Sequence, residues 1–137
     1  MRSDVIEQNS GQQWRLKHTA ISKEIDVTAT PSGGGAVAAV PVPAGAYVSK
    51  VGVLCTGAVV SSDFDVGDGA NTDRYMDGIT TMATADLVMA PNVATGVDIS
   101  AGEVGAHLYS SADTIDVLVN NTATTGSVKV LVWYYIP

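Results

Sequence analysis

The sequence predicts an all-β chain that folds as a single β-sandwich, jelly-roll-like, with an extended N-terminal arm. Hydrophobic residues make up 46% of its 137 residues, yet aromatic residues make up only 6%. The core must therefore consist of small and β-branched side chains, which favour pleated sheets. Turn residues recur roughly every 8–12 positions and no stretch shows a helical period, as expected for a sandwich or jelly roll.

The first 22 residues form the predicted arm, and residues 23–137 form the predicted sandwich. The arm is polar and slightly basic, whereas the rest of the chain is acidic. Trp14 and Leu16 interrupt its polar character, with Arg15 and Lys17 beside them. We expect these four residues to bind a neighbouring subunit, because aromatic and arginine side chains often anchor interfaces. A disordered tail is the alternative.

The N-terminal part of the predicted sandwich contains two short strands. Residues 24–29 alternate polar and apolar side chains, which is the period of a half-buried strand. The Pro-Ser-Gly-Gly-Gly segment at 31–35 predicts a loop. Residues 36–42 are apolar, and Pro41 limits them to an edge strand or to a strand end.

Residues 47–55 form the next predicted strand. Its alternating set contains Tyr47, Val51, Val53 and Cys55, which we expect to share the face that packs on the core. Cys55 is the only cysteine, so it forms no disulfide within the chain. We expect it to be buried and inert, because no basic group nearby in sequence would lower its pKa.

The second half of the chain contains the remaining strands. Residues 67–73 combine Gly, Asn and Asp and predict a tight turn. Residues 80–96 fit either a short helix or a loop. The last segment, residues 127–136, has two apolar alternating sets, so we expect it to form a central strand or one that lies in an interface. The predicted strands here are residues 59–66, 74–79, 97–99, 104–109, 114–119 and 127–136.

An aspartate-rich segment is the sharpest candidate for a ligand site. Five carboxylates fall within fifteen residues, and such oxygens can bind calcium. The segment does not match the EF-hand loop, since the twelfth position is Arg74 rather than Glu. Turn chemistry is the preferred interpretation, with Asp68 and Asp73 expected to cap their own backbone. The five residues are Asp63, Asp65, Asp68, Asp73 and Asp77.

The remaining motifs do not predict catalysis. His18 and His107 have no metal-ligating neighbour at short spacing, and no Gly-x-Ser-x-Gly element of a hydrolase is present. The glycine run at 33–35 lacks the Lys-Ser/Thr that completes a phosphate-binding loop. We therefore predict no enzyme activity, no catalytic residue, no cofactor and no metal.

Charge and hydropathy restrict the class of partner. The net charge is −7, which argues against nucleic acid because phosphate binding needs a basic patch. The sequence contains no run of about 18 apolar residues, so it predicts no membrane span. Charged residues are 15% of the chain, below the roughly 25% of ordinary soluble domains. A surface so poor in charge is typical of a subunit within an assembly, and a Thr-rich monomer is the alternative.

The main aromatic cluster lies near the C-terminus and contains Trp133, Tyr134 and Tyr135. Aromatic side chains in such a position either pack in the core or form the centre of an interface. We predict a possible subunit interface here. A platform for sugar binding is the least supported alternative.

Several segments resemble small virion structural proteins of tailed bacteriophages. They are Val-Pro-Ala-Gly-Ala-Tyr-Val-Ser-Lys-Val at 42–51, Phe-Asp-Val-Gly-Asp-Gly at 64–69, Asp-Arg-Tyr-Met-Asp-Gly-Ile at 73–79, Ser-Ala-Asp-Thr-Ile-Asp-Val at 111–117 and Gly-Ser-Val-Lys-Val at 126–130. The resemblance covers about residues 24–136 and excludes the arm. It implies a jelly-roll-like sandwich attached to the capsid exterior or to the tail.

The resemblance also implies a role and a set of partners. Of the two locations, we favour a capsid decoration, or cement, protein that binds the major capsid protein and stabilises the shell. It implies self-association as a homotrimer, synthesis in the bacterial host cytoplasm and a final location on the virion exterior. A tail or fibre component, including one that binds host glycan, is the alternative.

Overall fold

The computed structural model describes residues 16–31, 35–90 and 107–136, and these ranges consist of β-strands joined by turns and loops. The prediction of an all-β sandwich is confirmed, while the jelly-roll order of connections stays a prediction. Within the described ranges no helix is long and apolar enough to cross a membrane. The strands are β1 (Leu16–Ile21), β2 (Ile25–Asp26), β3 (Val37–Val42), β4 (Tyr47–Val60), β5 (Asp63–Gly67), β6 (Met76–Ile79), β7 (Leu87–Ala90), β8 (His107–Leu108), β9 (Asp113–Asn121) and β10 (Thr125–Ile136).

The strands form two antiparallel sheets. The larger sheet has the order β1-β10-β4-β7; β2 also pairs with β10, and β8 with β4. The smaller sheet has the order β3-β9-β5-β6. Strand β10 is central, with β1 and β2 on one side and β4 on the other. The prediction of a central strand, drawn from its two apolar alternating sets, is therefore confirmed.

The core between the two sheets is built mainly from valine. Such small branched side chains fill a thin layer, and the burial of each contributes about 1.5–3 kcal/mol. Tyr75 and Phe64 are the largest of its fully buried side chains. The fully buried valines among the described residues include Val27, Val48, Val51, Val53, Val59, Val66, Val117, Val128, Val130 and Val132.

Strand β4 carries a bulge that changes which side chains reach the core. Ser49 is an extra residue relative to β10, and its hydroxyl donates a hydrogen bond of 3.2 Å to the carbonyl oxygen of Trp133. One unpaired residue reverses the alternation of the strand. Val48 is consequently buried and Tyr47 is 42% exposed. The prediction that Tyr47 shares the core face with Val51 is therefore wrong.

Strand β1 lies within the range that the sequence analysis assigned to the arm. Leu16–Ile21 pair with Leu131–Ile136 of β10, so the sheet begins at Leu16. After β1, Ser22 continues the ladder with two hydrogen bonds to Val130: its backbone N–H donates to the carbonyl oxygen, and its hydroxyl accepts from the N–H. The sequence signal is weak because exposed Lys17 and Thr19 leave little hydrophobic alternation along this edge strand.

The segment at 80–96 contains a further strand. Leu87–Ala90 pair with Val51–Leu54 of β4 as strand β7, so neither a helix nor a loop describes this part of it. Met82 forms an isolated bridge with Val59 just before it. The predicted strand at 97–99 lies outside the described residues.

Candidate assembly surface

The side chains of the larger sheet that point away from the core form a surface that we call the outer face. It spans β1, β2, β10, β4, β7 and β8. Its composition is largely apolar, in contrast to an ordinary solvent-exposed sheet face. Its members include Lys17, Thr19, Ile21, Asp26, Tyr47, Lys50, Gly52, Leu54, Gly57, Leu87, Met89, Leu108, Ser127, Lys129, Leu131, Trp133 and Tyr135.

The strand register aligns the outer face into rows across the sheet. The central row contains Ile21, Leu131, Gly52 and Met89, each the partner of the next. Ile21 is 56% exposed at the β1 edge. A contiguous apolar row on the outside of a sheet marks a surface that another protein can cover.

Gly52 forms the floor of the central row. A Cβ atom at this position would lie 2.7 Å from the sulfur of Met89, 3.3 Å from Trp133 Cζ3 and 3.4 Å from Leu87 Cδ1. Three large side chains therefore cover the backbone of this glycine. The arrangement gives the middle of the outer face a packed apolar surface rather than isolated exposed groups.

Two rows flank the central row towards the end of β10. The first contains Thr19, Trp133 and Lys50. The second contains Lys17, Tyr135, Tyr47 and Leu108. This end of the outer face combines aromatic side chains with the basic groups of Lys17 and Lys50.

Two further rows lie on the opposite side of the central row. One contains Lys129, Leu54 and Leu87, and the next contains Asp26, Ser127 and Gly57. Asp26 Oδ1 accepts hydrogen bonds from the backbone and hydroxyl groups of Thr28, at 2.8 Å and 2.6 Å. These two bonds hold the pKa of Asp26 below its ordinary value, and the bond from the Thr28 hydroxyl has the larger effect. The outermost row at this end therefore carries the negative charge of Asp26, while Lys129 lies one row nearer the centre.

A shallow groove of about 470 Å³ lies at this end. Its lining includes the carboxylates of Glu24 and Asp26 and the small residues Gly57, Ala58 and Ser127. The outer face thus has a concave acidic end and an aromatic, basic end.

The aromatic cluster predicted as a possible interface is divided between the two sides of the sheet. Trp133 and Tyr135 belong to the outer face. Tyr134 points the other way and stacks on His18, with ring centroids 5.0 Å apart and planes 11° from parallel. Tyr134 also packs against the core. Two of the three aromatic side chains are thus available to a partner on this face.

The structure describes part of the predicted arm site. Lys17 is exposed on the outer face, and Leu16 pairs with Ile136 at the start of β1. Trp14 and Arg15 lie outside the described residues. The structure therefore brings Lys17 close to Tyr135, which the sequence analysis placed in a separate candidate site.

A buried polar network closes one end of the sandwich beside the smaller sheet. Asp68 Oδ2 accepts hydrogen bonds from Arg74 Nε and from the Tyr109 hydroxyl at 2.7 Å. The Tyr75 and Tyr109 hydroxyls are 2.7 Å apart, and an Arg74 guanidinium nitrogen lies 3.2 Å from His107 Nδ1. The network ties the β5–β6 turn to the segment after β8.

The electrostatics of this network favour a structural role. Burial alone would raise the pKa of Asp68, but the bonds from Tyr109 and Arg74 outweigh it and hold the pKa below its ordinary value. Burial, the Tyr75 hydroxyl and the Asp68 carboxylate all raise the pKa of Tyr109. At neutral pH a carboxylate and a guanidinium are therefore fixed as a pair beside the neutral phenol of Tyr109.

The backbone contacts of Asp68 confirm the predicted turn chemistry at this residue. Its Oδ1 atom accepts hydrogen bonds from the N–H groups of Ala70 and Asn71, at 3.0 Å and 2.8 Å. Asp73 takes part in this turn through its backbone, since its N–H donates a hydrogen bond to Asn71 Oδ1. Among the described residues, no group of three or more His, Cys, Asp or Glu side chains could hold a metal ion.

The outer side of the smaller sheet is polar and acidic. Asp65 is 6% exposed and accepts hydrogen bonds from the N–H of Gly78 and the side-chain amide of Asn120. Asp116 accepts one from the Thr114 hydroxyl. Burial, together with the negative charges of neighbouring aspartates, raises the pKa of Asp116.

Cys55 is buried, as the sequence predicts. Its sulfur lies 3.2 Å from the carbonyl oxygen of Gly57, and burial raises the pKa of the thiol. Both observations oppose formation of a reactive thiolate.

Sequence reasoning missed the polar network and most of the outer face. Asp68 and Arg74 flank one turn, but Tyr109 joins them from 41 residues away. Nothing in local periodicity reports that contact. The outer face had one detectable signal, the second apolar alternating set of β10, which includes Leu131 and Trp133.

Comparisons with known proteins place this fold among bacteriophage capsid structures. No family model matches the sequence, and no curated protein matches it. A chain of the cyanophage Pam1 capsid asymmetric unit is 21% identical with a TM-score of 0.62, over 90% of this chain and 86% of that one. A chain of the acidic stable capsid of Helicobacter pylori bacteriophage KHP30 is 16% identical with a TM-score of 0.55, over 90% and 94%.

The capsid of Ralstonia phage GP4 contains a third similar chain, 12% identical with a TM-score of 0.54, over 89% of this chain and 85% of that one. Each alignment covers most of both chains, so all three similar chains are close to this one in length. The similarity shows that the protein shares the fold of small chains in three bacteriophage capsids.

Proposed function

We propose that the protein is a structural component of a bacteriophage virion. The observation that carries this proposal is the nearly full-length fold similarity to chains in three phage capsids. The similar chains consist almost entirely of this fold, so little of any of them is left for a different domain. The sequence resemblance to small virion proteins of tailed bacteriophages supports the same role independently.

Within the virion we propose a capsid decoration, or cement, protein on the capsid exterior. It binds the major capsid protein and stabilises the shell as a homo-oligomer. The apolar outer face supports binding by protein contacts, because such a surface gains stability when a partner removes it from water. The resemblance implies three copies, whereas the charges of the outer face favour two.

We also propose that the protein acts without catalysis. Among the described residues, the ionisable and nucleophilic side chains best suited to a reaction already have structural partners. Asp68 and Arg74 form a buried pair, and Cys55 lies in the core with its pKa raised. These observations support a binding role over a reaction.

The N-terminal residues are proposed to contact a neighbouring subunit through Trp14, Arg15, Leu16 and Lys17. Because β1 starts at Leu16, deletion of residues 1–15 leaves every described strand in place. The shortened chain should fold with an unchanged melting temperature and occupy capsids less completely than the full chain. Equal occupancy by both chains would contradict this role for the arm.

The experiment that tests the proposed function adds the purified full chain to capsids that lack it and counts the bound copies. Saturation at hundreds of copies per particle is expected of a decoration protein, since joints between shell subunits recur over the whole surface. Binding of tens of copies or fewer would instead support a tail or fibre component. Absence of binding to any virion part would contradict both.

A further inference from the structure

We propose that the outer face pairs with the outer face of a second copy about a twofold axis through its central row. The inference rests on the proposed homo-oligomer and names the surface and the symmetry that form it. In this pairing the same surface serves both copies, so each contact between two different residues occurs twice.

The rows of the outer face are arranged symmetrically about Leu131. The row of Lys17 and Tyr135 lies four residues to one side on β10, and the row of Asp26 and Ser127 lies four residues to the other. Each is therefore about 13 Å from the central row. A twofold axis in the plane of the face and perpendicular to the strands exchanges these two rows and places Leu131 over its own copy.

The charges are complementary under this operation. Lys17 of one copy lies over Asp26 of the other, because β1 and β2 occupy the same edge of the sheet. The bonds from Thr28 use Oδ1 of Asp26, and Oδ2 has no hydrogen bond within the described ranges. An axis parallel to the strands would instead place Lys17 against Leu108, with no opposite charge.

The shapes are complementary as well. Tyr47 is an exposed aromatic side chain of β4, and the same operation places it over Gly57, also on β4. Gly57 lines the groove of about 470 Å³, which offers space for a phenol ring. On β10, Lys129 comes over Trp133, a geometry that permits a cation–π contact. The aromatic end of each copy thus meets the small-residue end of the other.

The test uses charge reversal at the two ends of the outer face. The full chains carrying Lys17→Asp or Asp26→Lys are studied separately and as an equimolar mixture by sedimentation velocity. Each variant alone places two pairs of like charges opposite each other. The dissociation constant of its dimer should therefore be at least tenfold higher than that of the natural chain. The mixture restores both opposite-charge pairs and should form heterodimers with nearly natural affinity.

The control for the net charge of Asp26→Lys is Asp63→Lys, which makes the same charge change on a strand of the smaller sheet. It should leave dimerisation unchanged. Recovery in the mixture also shows that both variants are folded, since misfolded chains would not pair.

Three results would overturn the inference. One is a natural chain that stays monomeric up to high concentration. If that monomer still bound capsids, the outer face would be the surface that contacts the capsid shell. Another is a trimer insensitive to both reversals. The third is a mixture that pairs no better than either variant. None of these results would by itself contradict binding to capsids, which is counted separately.

Discussion

The two outward-facing surfaces of the sandwich differ in what covers their central strands. Leu131 of β10 and Leu118 of β9 are both half-buried leucines in the interior of their sheets. Leu131 has Ile21 and Gly52 beside it in an apolar row. Leu118 instead pairs with Asp65, on a surface of carboxylates.

This difference indicates which surface assembles. On the smaller sheet, Asp65 and Asp116 accept hydrogen bonds within the fold. The polar groups of that surface therefore need no partner protein. On the larger sheet, apolar side chains such as Ile21 and Leu87 remain about half exposed. Covering them with another protein stabilises the assembly, whereas covering the acidic surface would cost desolvation of charges.

The largest expected effect lies at the closed end of the sandwich. Asp68→Asn removes the carboxylate that pairs with the buried Arg74 Nε and should lower the free energy of unfolding by about 3–5 kcal/mol. Urea denaturation at pH 7 measures it. Asp63→Asn at the half-buried start of β5 serves as the control and should cost less than about 0.5 kcal/mol. Equal losses in both variants would show that the pair does not hold this end together.

The same pair gives a pH dependence with a defined sign. The pKa of Asp68 is lowered in the folded protein, so its stabilisation is present above the ordinary value of 3.8 and disappears as the pH falls through the lowered value. The stability difference between the natural chain and Asp68→Asn should therefore shrink in acid. A difference that grows as the pH falls below 3.8 would contradict the assigned ionic state.

The next effect compares the two half-buried leucines directly. Leu131→Asn should weaken self-association about hundredfold, because two copies of this side chain leave water at the twofold axis. Leu118→Asn, on the smaller sheet, should leave self-association unchanged. Sedimentation equilibrium of both variants measures the dissociation constants. An equal loss in both variants would remove the distinction between the two surfaces.

A smaller effect compares one glycine from each sheet. A Cβ at Gly67 would overlap the backbone of Asn71 and Thr72, so Gly67→Ala should cost about 2 kcal/mol as the turn moves. A Cβ at Gly52 meets first the flexible end of Met89, so Gly52→Ala should cost less than about 1 kcal/mol. Thermal unfolding ranks the two variants, and the reverse order would contradict this packing.

The smallest expected effect concerns the acidic surface. The raised pKa of Asp116 means that the folded protein loses stability as the pH rises from 3.8 through the raised value. Asp116→Asn avoids this loss and should stabilise the fold by about 0.5 kcal/mol at pH 7. The gain should vanish below pH 3.8, where the natural side chain is protonated. Denaturation at both pH values checks this, and a destabilised variant at pH 7 would contradict the assignment.

The sequence predicts the fold class because alternation is a local property. The valines of β10 and their apolar neighbours revealed a central strand, and the Gly-Asp-Gly sequence at 67–69 revealed a turn. The position of Tyr47 was not predictable, because the bulge at Ser49 arises from pairing with a strand more than 80 residues away. Strand β1 was missed because an edge strand with one solvated face shows little hydrophobic contrast.

The candidate surface was predictable only in part. Trp133 and Tyr135 were identified as aromatic residues near a chain end, but the opposite direction of Tyr134 follows from alternation within a known strand. The joining of Lys17, Tyr135 and Tyr47 in one row depends on the register of three strands. Register between distant strands is set by the whole core and is not encoded in any single segment.

Oxidative footprinting of the full chain, free and assembled, tests most directly whether the outer face is the assembly surface. The account predicts that Trp133, Met89 and Tyr47 become protected on assembly while Leu118 keeps the reactivity of the free chain. Protection of Leu118 with unchanged reactivity of Trp133 and Met89 would contradict it, since the smaller sheet would then carry the contact.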